Sequence, residues 1–185
     1  MRGLLISAIV LILLGCTPDR TAESAEGGVL TAFLQREITR LTAAQTSVLK
    51  DARLDGKTET HVLKEINWKK ELDVFVQADV EKPALRTNYD VTQPNAQTKV
   101  WTLKSDLHLP VERVLVETAP GSTEVVRMEA QMRSKNFLYD TTKKLSFTTR
   151  SGPNRKRQLT AYEVVGSQKP MFGREMVFQI AGRIQ

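Results

Sequence analysis

Apolar residues recur every three or four positions over residues 29–46, and this spacing predicts an amphipathic helix. A second helix is predicted over residues 68–78, because Asn67 can cap its first turn and Pro83 prevents it from continuing much further. The apolar stripe of the first helix consists of Leu30, Phe33, Leu34, Ile38, Leu41 and Ala44. That of the second consists of Leu72, Phe75 and Val76. Both helices therefore have one face to bury against another layer.

The period of the pattern changes to two beyond about Leu85, which indicates strands. The clearest alternation is in residues 123–134, where four apolar side chains should face inward, namely Val126, Met128, Ala130 and Met132. Strands are predicted near 85–91, 98–104, 109–118, 123–134, 143–149, 157–165 and 173–182. Before them, Asp55-Gly56 separates two partly alternating runs, which is a strong signal for a β-hairpin with a tight turn.

Short connections predict that successive strands pair antiparallel as a meander. One apolar face of the resulting sheet has to be covered, and the two helices are available to cover it. The sequence therefore predicts an α+β fold, with two helices from the N-terminal half packed on a curved antiparallel β-meander of about seven to nine strands. Residues 29–185 should form this single domain.

The N-terminus has the pattern of a secretory signal. Arg2 precedes an 11-residue apolar run, Leu4–Leu14. As a helix this run would be roughly 16 Å long, against roughly 30 Å of membrane hydrocarbon, so it is too short to span. Its end, Leu13-Leu14-Gly15-Cys16, resembles the lipobox of bacterial lipoproteins. A plain signal peptide with an accidental cysteine, or a core helix, are the alternatives.

The lipobox resemblance implies that residues 1–15 are a signal peptide and that Cys16 carries long acyl chains such as palmitate. Residues 16–28 would then be an acylated cysteine and a flexible tether, because they are small, polar and without periodicity. In the sorting rule known for such lipoproteins, aspartate after the cysteine retains the protein at the inner membrane. Thr17 occupies that position here and implies the cell outer membrane.

Two stretches carry a second resemblance: Asn67-Trp68-Lys69-Lys70-Glu71-Leu72, and Ala78-Asp79-Val80-Glu81-Lys82-Pro83. Together with the lipobox they resemble a family of uncharacterised lipoproteins from Bacteroidetes-type bacteria. The resemblance implies a cell-envelope lipoprotein, and it implies no particular activity, ligand or cofactor.

Charge is concentrated near the C-terminus. Lysine and arginine number 27 against 21 acidic residues, a net charge of +6. The last 40 residues contain seven cations and two acids. Four of these cations form a cluster that could bind an anionic surface from a hairpin tip: Arg150, Arg155, Lys156 and Arg157. The alternative is a loop that only keeps the protein soluble. Nucleic acid is a poor candidate partner, because export separates the domain from most of it.

No catalytic or metal-binding pattern is present. The chain has one cysteine and two histidines. It lacks the nucleophile-elbow, phosphate-loop and zinc-protease motifs, so we expect no enzyme activity, no cofactor and no metal site. Asp140-Thr141-Thr142 resembles the short O-glycosylation sequon of exported Bacteroidetes-type proteins, which makes Thr141 a candidate acceptor in a predicted loop.

Two functions remain open. The first is a non-catalytic binding or scaffold module that faces an envelope protein partner. The alternative is a carrier or sensor of hydrophobic molecules, since lipoprotein-localisation factors shelter acyl chains in a curved sheet with a helical lid; this comparison is an analogy of fold only. In that case, adaptable side chains could line the cavity, namely Met128, Met132, Met171 and Met176.

Overall fold

A computed structural model describes residues 27–185. The predicted signal peptide, Cys16 and all but the end of the tether lie outside these residues. Three helices are present: α1 (Val29–Ala43), α2 (Trp68–Glu71) and α3 (Asp73–Gln77). The strands are β1 (Val48–Leu54), β2 (Lys57–Leu63), β3 (Tyr89–Asn95), β4 (Thr98–Leu103), β5 (Val111–Thr118), β6 (Val125–Lys135), β7 (Tyr139–Ser151), β8 (Arg157–Pro170) and β9 (Met176–Ile184). Two 3₁₀ turns lie at Arg86–Asn88 and Pro153–Arg155.

All nine strands form one open antiparallel sheet in the order β2-β1-β9-β8-β7-β6-β5-β4-β3. The predicted meander is confirmed for β3 to β9, where each strand pairs with the next in sequence. The hairpin β1–β2 joins the other side of the last strand, with Val48 opposite Ile184 and Leu54 opposite Phe178. The N-terminal hairpin therefore extends the sheet at its C-terminal strand.

The predicted hairpin at Asp55-Gly56 is confirmed. Both turn residues have positive φ, 47° at Asp55 and 85° at Gly56. Glycine reaches this region without a steric penalty and aspartate tolerates it, so the dipeptide gives a turn whose twist matches the strands. The register of the hairpin then follows, from Leu54 opposite Lys57 to Val48 opposite Leu63.

Two local predictions are wrong. The single helix expected over residues 68–78 is two short helices, so residues 27–185 contain three α-helices instead of two. The Leu72 carbonyl accepts the amides of both Phe75 and Val76, and a new helical turn starts there. In β6 a bulge shifts the predicted alternation, so that Val125 is fully buried and Val126 only partly. Both of their carbonyls accept the Thr149 hydroxyl, which holds the bulge in place.

The helices pack on one face of the sheet, called the inner face below. Phe33 of α1 stacks on Phe147 of β7, with ring centroids 5.5 Å apart. Phe75 of α3 meets the edges of Phe147 and Tyr162, which are cross-strand partners on β7 and β8. These aromatic contacts lie at the centre of the core and bring helices from two parts of the chain onto the same two strands.

Two buried carboxylates fix α1 to the rest of the domain. Asp79 accepts hydrogen bonds from the amides of Gly28 and Thr31, 2.9 and 3.1 Å away, and from the Thr31 hydroxyl. It therefore satisfies the first turn of α1, whose own N-cap residue, Gly28, has no side chain. At the middle of the helix, Glu37 accepts the Leu159 amide of β8 at 2.8 Å. The start of α1 is consequently held in a defined place relative to the strands.

Candidate functional site

Cross-strand rows on the inner face define what the helices cover. One row contains Met128, Phe147 and Tyr162, which are buried beneath the helices. The next row toward the β6–β7 turn contains Ala130, Leu145, Val164 and Ile180. The row after it contains Met132, Lys143, Gly166 and Phe178. The last row contains Ser134, Thr141 and Gln168. Side chains from each of these further rows line a groove on the inner face, beside α2 and α3.

This groove has a volume of about 670 Å³, which falls within the usual range of small-molecule sites. Side chains of α2 and α3 form one wall, among them Glu71 and Val74. The floor is largely apolar, and its apolar side chains come from the three strands β6, β8 and β9: Met132, Val164, Phe178 and Ile180. It crosses the sheet from β6 to β1, which at about 4.8 Å per strand is roughly 19 Å.

Three polar side chains, Lys50, Glu71 and Tyr162, form a polar trio on the helix side of the groove. The Glu71 carboxylate accepts hydrogen bonds from the Lys50 ammonium at 2.7 Å and from the Tyr162 hydroxyl. Burial raises the pKa of Tyr162, and the hydrogen bond to Glu71 and its negative charge raise it further. The phenol therefore stays protonated throughout the physiological range and acts as a hydrogen-bond donor. The hydrogen bonds of the polar trio connect α2 to β1 and to β8, so we assign the trio a structural role.

Lys143 is the charged residue at the centre of the groove. It lies on the inner face of β7, partly buried, between Met132 of β6 and Gly166 of β8. Within residues 27–185, no carboxylate oxygen lies within 4 Å of its ammonium group. At Gly166 an added Cβ would lie 2.6 Å from the Phe178 ring and 2.4 Å from the Thr142 carbonyl oxygen. Glycine there allows the Phe178 ring to lie directly on β8 beside the lysine.

The groove opens toward one end of the sheet, which we call the apolar end. Two turns there expose large apolar side chains: Phe137 (79%), Leu138 (53%), Met171 (64%) and Phe172 (85%). The Met171 amide donates to the Leu138 carbonyl at 2.7 Å, so the β6–β7 and β8–β9 turns are joined. Asp55 of the β1–β2 turn accepts the Val177 amide at 3.0 Å and pairs with Arg174. These turns form one connected surface with the mouth of the groove.

The predicted basic cluster lies at the opposite end, in the β7–β8 turn. Arg150, Arg155 and Lys156 are exposed, as expected for a surface that meets anions. Arg157 differs, because its guanidinium donates to the Thr149 hydroxyl at 2.6 Å and to the Thr149 carbonyl at 2.7 Å. Its side chain is committed to holding the turn, so three of the four predicted cations remain for an anionic surface.

The Glu124 carboxylate ties this turn to α1. It receives both guanidinium nitrogens of Arg36, at 2.6 and 2.8 Å, and the Arg157 amide at 2.6 Å. Burial by itself would raise the pKa of Glu124, but the hydrogen bonds from Arg36 and Arg157 and the positive charge of Arg36 outweigh it. The pKa of Glu124 is therefore lowered below its ordinary 4.5.

This shift predicts a specific pH dependence. A carboxyl with a lowered pKa in the folded state stabilises the protein above its ordinary pKa, and this contribution is lost as the pH falls through the folded value. We expect the unfolding free energy of the wild type to decline more steeply below about pH 5 than that of Glu124→Gln. Urea denaturation of both chains between pH 7 and pH 3 measures the difference. Parallel pH curves would contradict the role assigned to Glu124.

The loop position predicted for the glycosylation sequon is wrong. Residues 140–142 lie within β7, because the β6–β7 turn ends earlier than the sequence suggested. Thr141 is 9% exposed and its side chain lines the groove. Asp140 is paired with Arg133 at 2.6 Å. O-glycosylation of Thr141 stays a prediction, and its burial in a paired strand opposes access by a transferase to the folded domain.

The four methionines singled out from the sequence have three different environments. Met128 is fully buried beneath the helices and belongs to the core. Met132 lines the groove, as a cavity-lining role requires. Met171 and Met176 are exposed, at 64% and 37%. Lys143 was missed as a candidate, although the alternation of Thr141, Lys143, Leu145 and Phe147 places a charge at an inward position.

Within residues 27–185, no three histidine, cysteine, aspartate or glutamate side chains come close enough to hold a metal ion. None of the helices in this part of the chain is long and apolar enough to cross a membrane. Comparison of the chain with protein-family models, with curated proteins and with solved structures gives no match. The groove, the apolar end and the basic turn are therefore interpreted from their own chemistry.

Proposed function

We propose that the chain is a membrane-anchored envelope lipoprotein whose domain binds a hydrophobic molecule in the groove, as a non-catalytic carrier or sensor. The observation that carries the proposal is the open groove on the inner face. Glu71 of α2 and Val74 of α3 line one side of it, and Met132 and Phe178 lie on its apolar floor. Ligand sites are typically concave, mostly apolar and furnished with a few polar groups, and the groove has each of these features.

The proposed orientation follows from where α1 begins. Its first residue, Val29, lies beside Ser122 and Thr123 of the β5–β6 turn, at the same end of the sheet as the exposed cations Arg155 and Lys156. Acyl chains on Cys16 would attach the domain to the cell outer membrane from this end, and the cations would face anionic head groups. Strand β7 has 13 residues, or about 43 Å. The groove mouth would then point away from the anchoring membrane.

Native mass spectrometry tests the proposal. Residues 17–185 contain every described element, and this chain can be exported without the acylated cysteine. We expect a stoichiometric extra mass in the range of a fatty acid or phospholipid. A polypeptide that carries no extra mass after export, and that takes up no fatty acid or phospholipid when these are added, would contradict the proposal.

A pair of neighbouring substitutions links the ligand to the groove. Met132→Asn replaces an apolar part of the floor with a polar amide, and we expect it to lower ligand occupancy at least severalfold. Gln131→Asn, on the opposite face of the same strand, serves as the matched control and should retain the ligand. Occupancy is measured by native mass spectrometry, and urea denaturation checks that both variants fold. Equal occupancy in the two variants would place the ligand elsewhere.

A protein partner is the second candidate, and the apolar end favours it. Phe137 and Phe172 project from two joined turns and are the most exposed large apolar residues of the described chain. Aromatic side chains with such exposure are common anchors in protein interfaces. A bare polypeptide mass together with protein cross-links at these turns would make a partner-binding module the better account.

A further inference from the structure

The charges that line the groove are unequal. Four cationic side chains line it, against one acid, Glu71. Two of the cations have a carboxylate partner, since Lys50 pairs with Glu71 and Arg133 pairs with Asp140. Lys70 is exposed at the rim, whereas Lys143 lies on the floor, partly buried. Within residues 27–185, Lys143 is thus the groove-floor cation without a carboxylate within 4 Å.

The position of Lys143 is unusual for a lysine. An ammonium group is strongly hydrated, and placing it among apolar side chains is unfavourable unless an anion or hydrogen-bond acceptors accompany it. Its cross-strand neighbours are Met132 and Gly166, and the Phe178 ring lies on Gly166. A partly buried lysine at an inward position of a central strand is therefore a suitable partner for the anionic group of a ligand.

Polar groups continue from Lys143 toward the apolar end. Ser134, Thr141 and Gln168 form one cross-strand row, and all three line the groove. Their hydroxyl and amide groups can donate hydrogen bonds to oxygens held beside the ammonium group. The apolar floor extends in the other direction, over Val164 and Ile180. The groove therefore combines a small polar pocket with an apolar strip.

We infer that the ligand is a long-chain monocarboxylate, with its head group on Lys143 and its hydrocarbon chain along Val164, Phe178 and Ile180. This inference rests on the proposed function and names the chemical class of its ligand. Among the described residues, the floor offers a single cation without a carboxylate partner, which matches the single charge of a carboxylate. A phosphate head group carries more charge, and the next such cation, Lys70, is at the exposed rim.

Displacement of the neutral fluorescent probe N-phenyl-1-naphthylamine tests the inference on residues 17–185. Dodecanoate, dodecanol, dodecyl phosphate and dodecyltrimethylammonium have the same chain length and differ in head group. We expect dodecanoate to displace the probe about tenfold or more better than dodecanol, because a hydrogen bond to a charged group contributes that much. The cationic amphiphile should bind most weakly.

Two neighbouring lysines provide the matched variants. Lys143→Met should remove the preference for dodecanoate over dodecanol and leave the binding of dodecanol unchanged or tighter. Lys144→Met removes the same charge from the exposed outer face of the same strand and should keep the preference. Urea denaturation of both variants confirms that the fold is intact.

The outcomes separate the inference from the function on which it rests. If the probe does not bind the wild type at all, the hydrophobic-binding function is wrong. If the probe binds but dodecanoate and dodecanol displace it equally, the function stands and the carboxylate inference is overturned. A preference for dodecyl phosphate over dodecanoate, or equal effects of Lys143→Met and Lys144→Met, would overturn it as well.

Discussion

Replacing Phe147 by alanine is expected to lower the unfolding free energy by about 3–5 kcal/mol, the cost of removing a fully packed aromatic side chain. Phe147 is 2% exposed and lies on β7, which is the central strand of the sheet. Its ring stacks on Phe33 of α1 and meets the edge of Phe75 of α3, at 5.5 and 5.8 Å between centroids. The substitution removes the contact that both helices share with the sheet.

Urea denaturation of residues 17–185 measures this effect, and Phe172→Ala is the control. Phe172 is 85% exposed in the β8–β9 turn, so its removal should change the unfolding free energy by less than about 0.5 kcal/mol. If the two substitutions destabilised the domain equally, Phe147 would not be the centre of the core. The same result would show that the apolar end is packed in solution.

Replacing Glu37 by alanine is expected to cost about 1–3 kcal/mol, because it leaves a buried backbone amide without its acceptor. The Glu37 carboxylate is 1% exposed and accepts the Leu159 amide of β8 at 2.8 Å. It also receives the Arg40 guanidinium at 2.7 Å. Glu37→Gln keeps an acceptor oxygen and should retain part of the stability.

Arg40→Ala separates the two roles of Glu37. The Arg40 side chain is 31% exposed, and a partly exposed ion pair contributes at most about 1 kcal/mol. We therefore expect Arg40→Ala to destabilise the domain much less than Glu37→Ala. Equal losses, measured by urea denaturation, would mean that the ion pair within α1, and not the hydrogen bond to Leu159, accounts for the effect of Glu37→Ala.

Local sequence patterns correctly predicted those parts of the fold that depend on neighbouring residues. Asp55-Gly56 specified a hairpin because its positive φ values depend on those two residues alone. The alternation around Met128 and Ala130 gave the correct inward face, but Val125 replaced Val126 because the bulge is fixed by Thr149 of another strand. The pairing of β1 with β9 joins distant parts of the chain, and no local signal specifies it.

Less of the candidate site could be predicted from the sequence, because the site also depends on contacts between distant parts of the chain. The β7–β8 turn was recognisable as basic, yet the commitment of Arg157 to Thr149 depends on the geometry of the turn. Lys143 could have been noticed as a charge at an inward position of an alternating strand. The exposure of Lys143 to the groove depends on where α2 and α3 cross the sheet. Thr141 was predicted to lie in a loop, but β7 begins at Tyr139, so Thr141 lies on the groove floor.

Photo-cross-linking in intact cells tests most directly whether the groove holds a hydrophobic molecule. A benzophenone side chain is placed at position 178, on the groove floor, or at position 177, where Val177 faces outward and is 55% exposed. The full-length chain is irradiated in its own cells, and its adducts are identified by mass spectrometry. We predict a fatty-acid adduct at position 178 that is absent at position 177. Protein adducts alone, or the same adducts at both positions, would contradict the account.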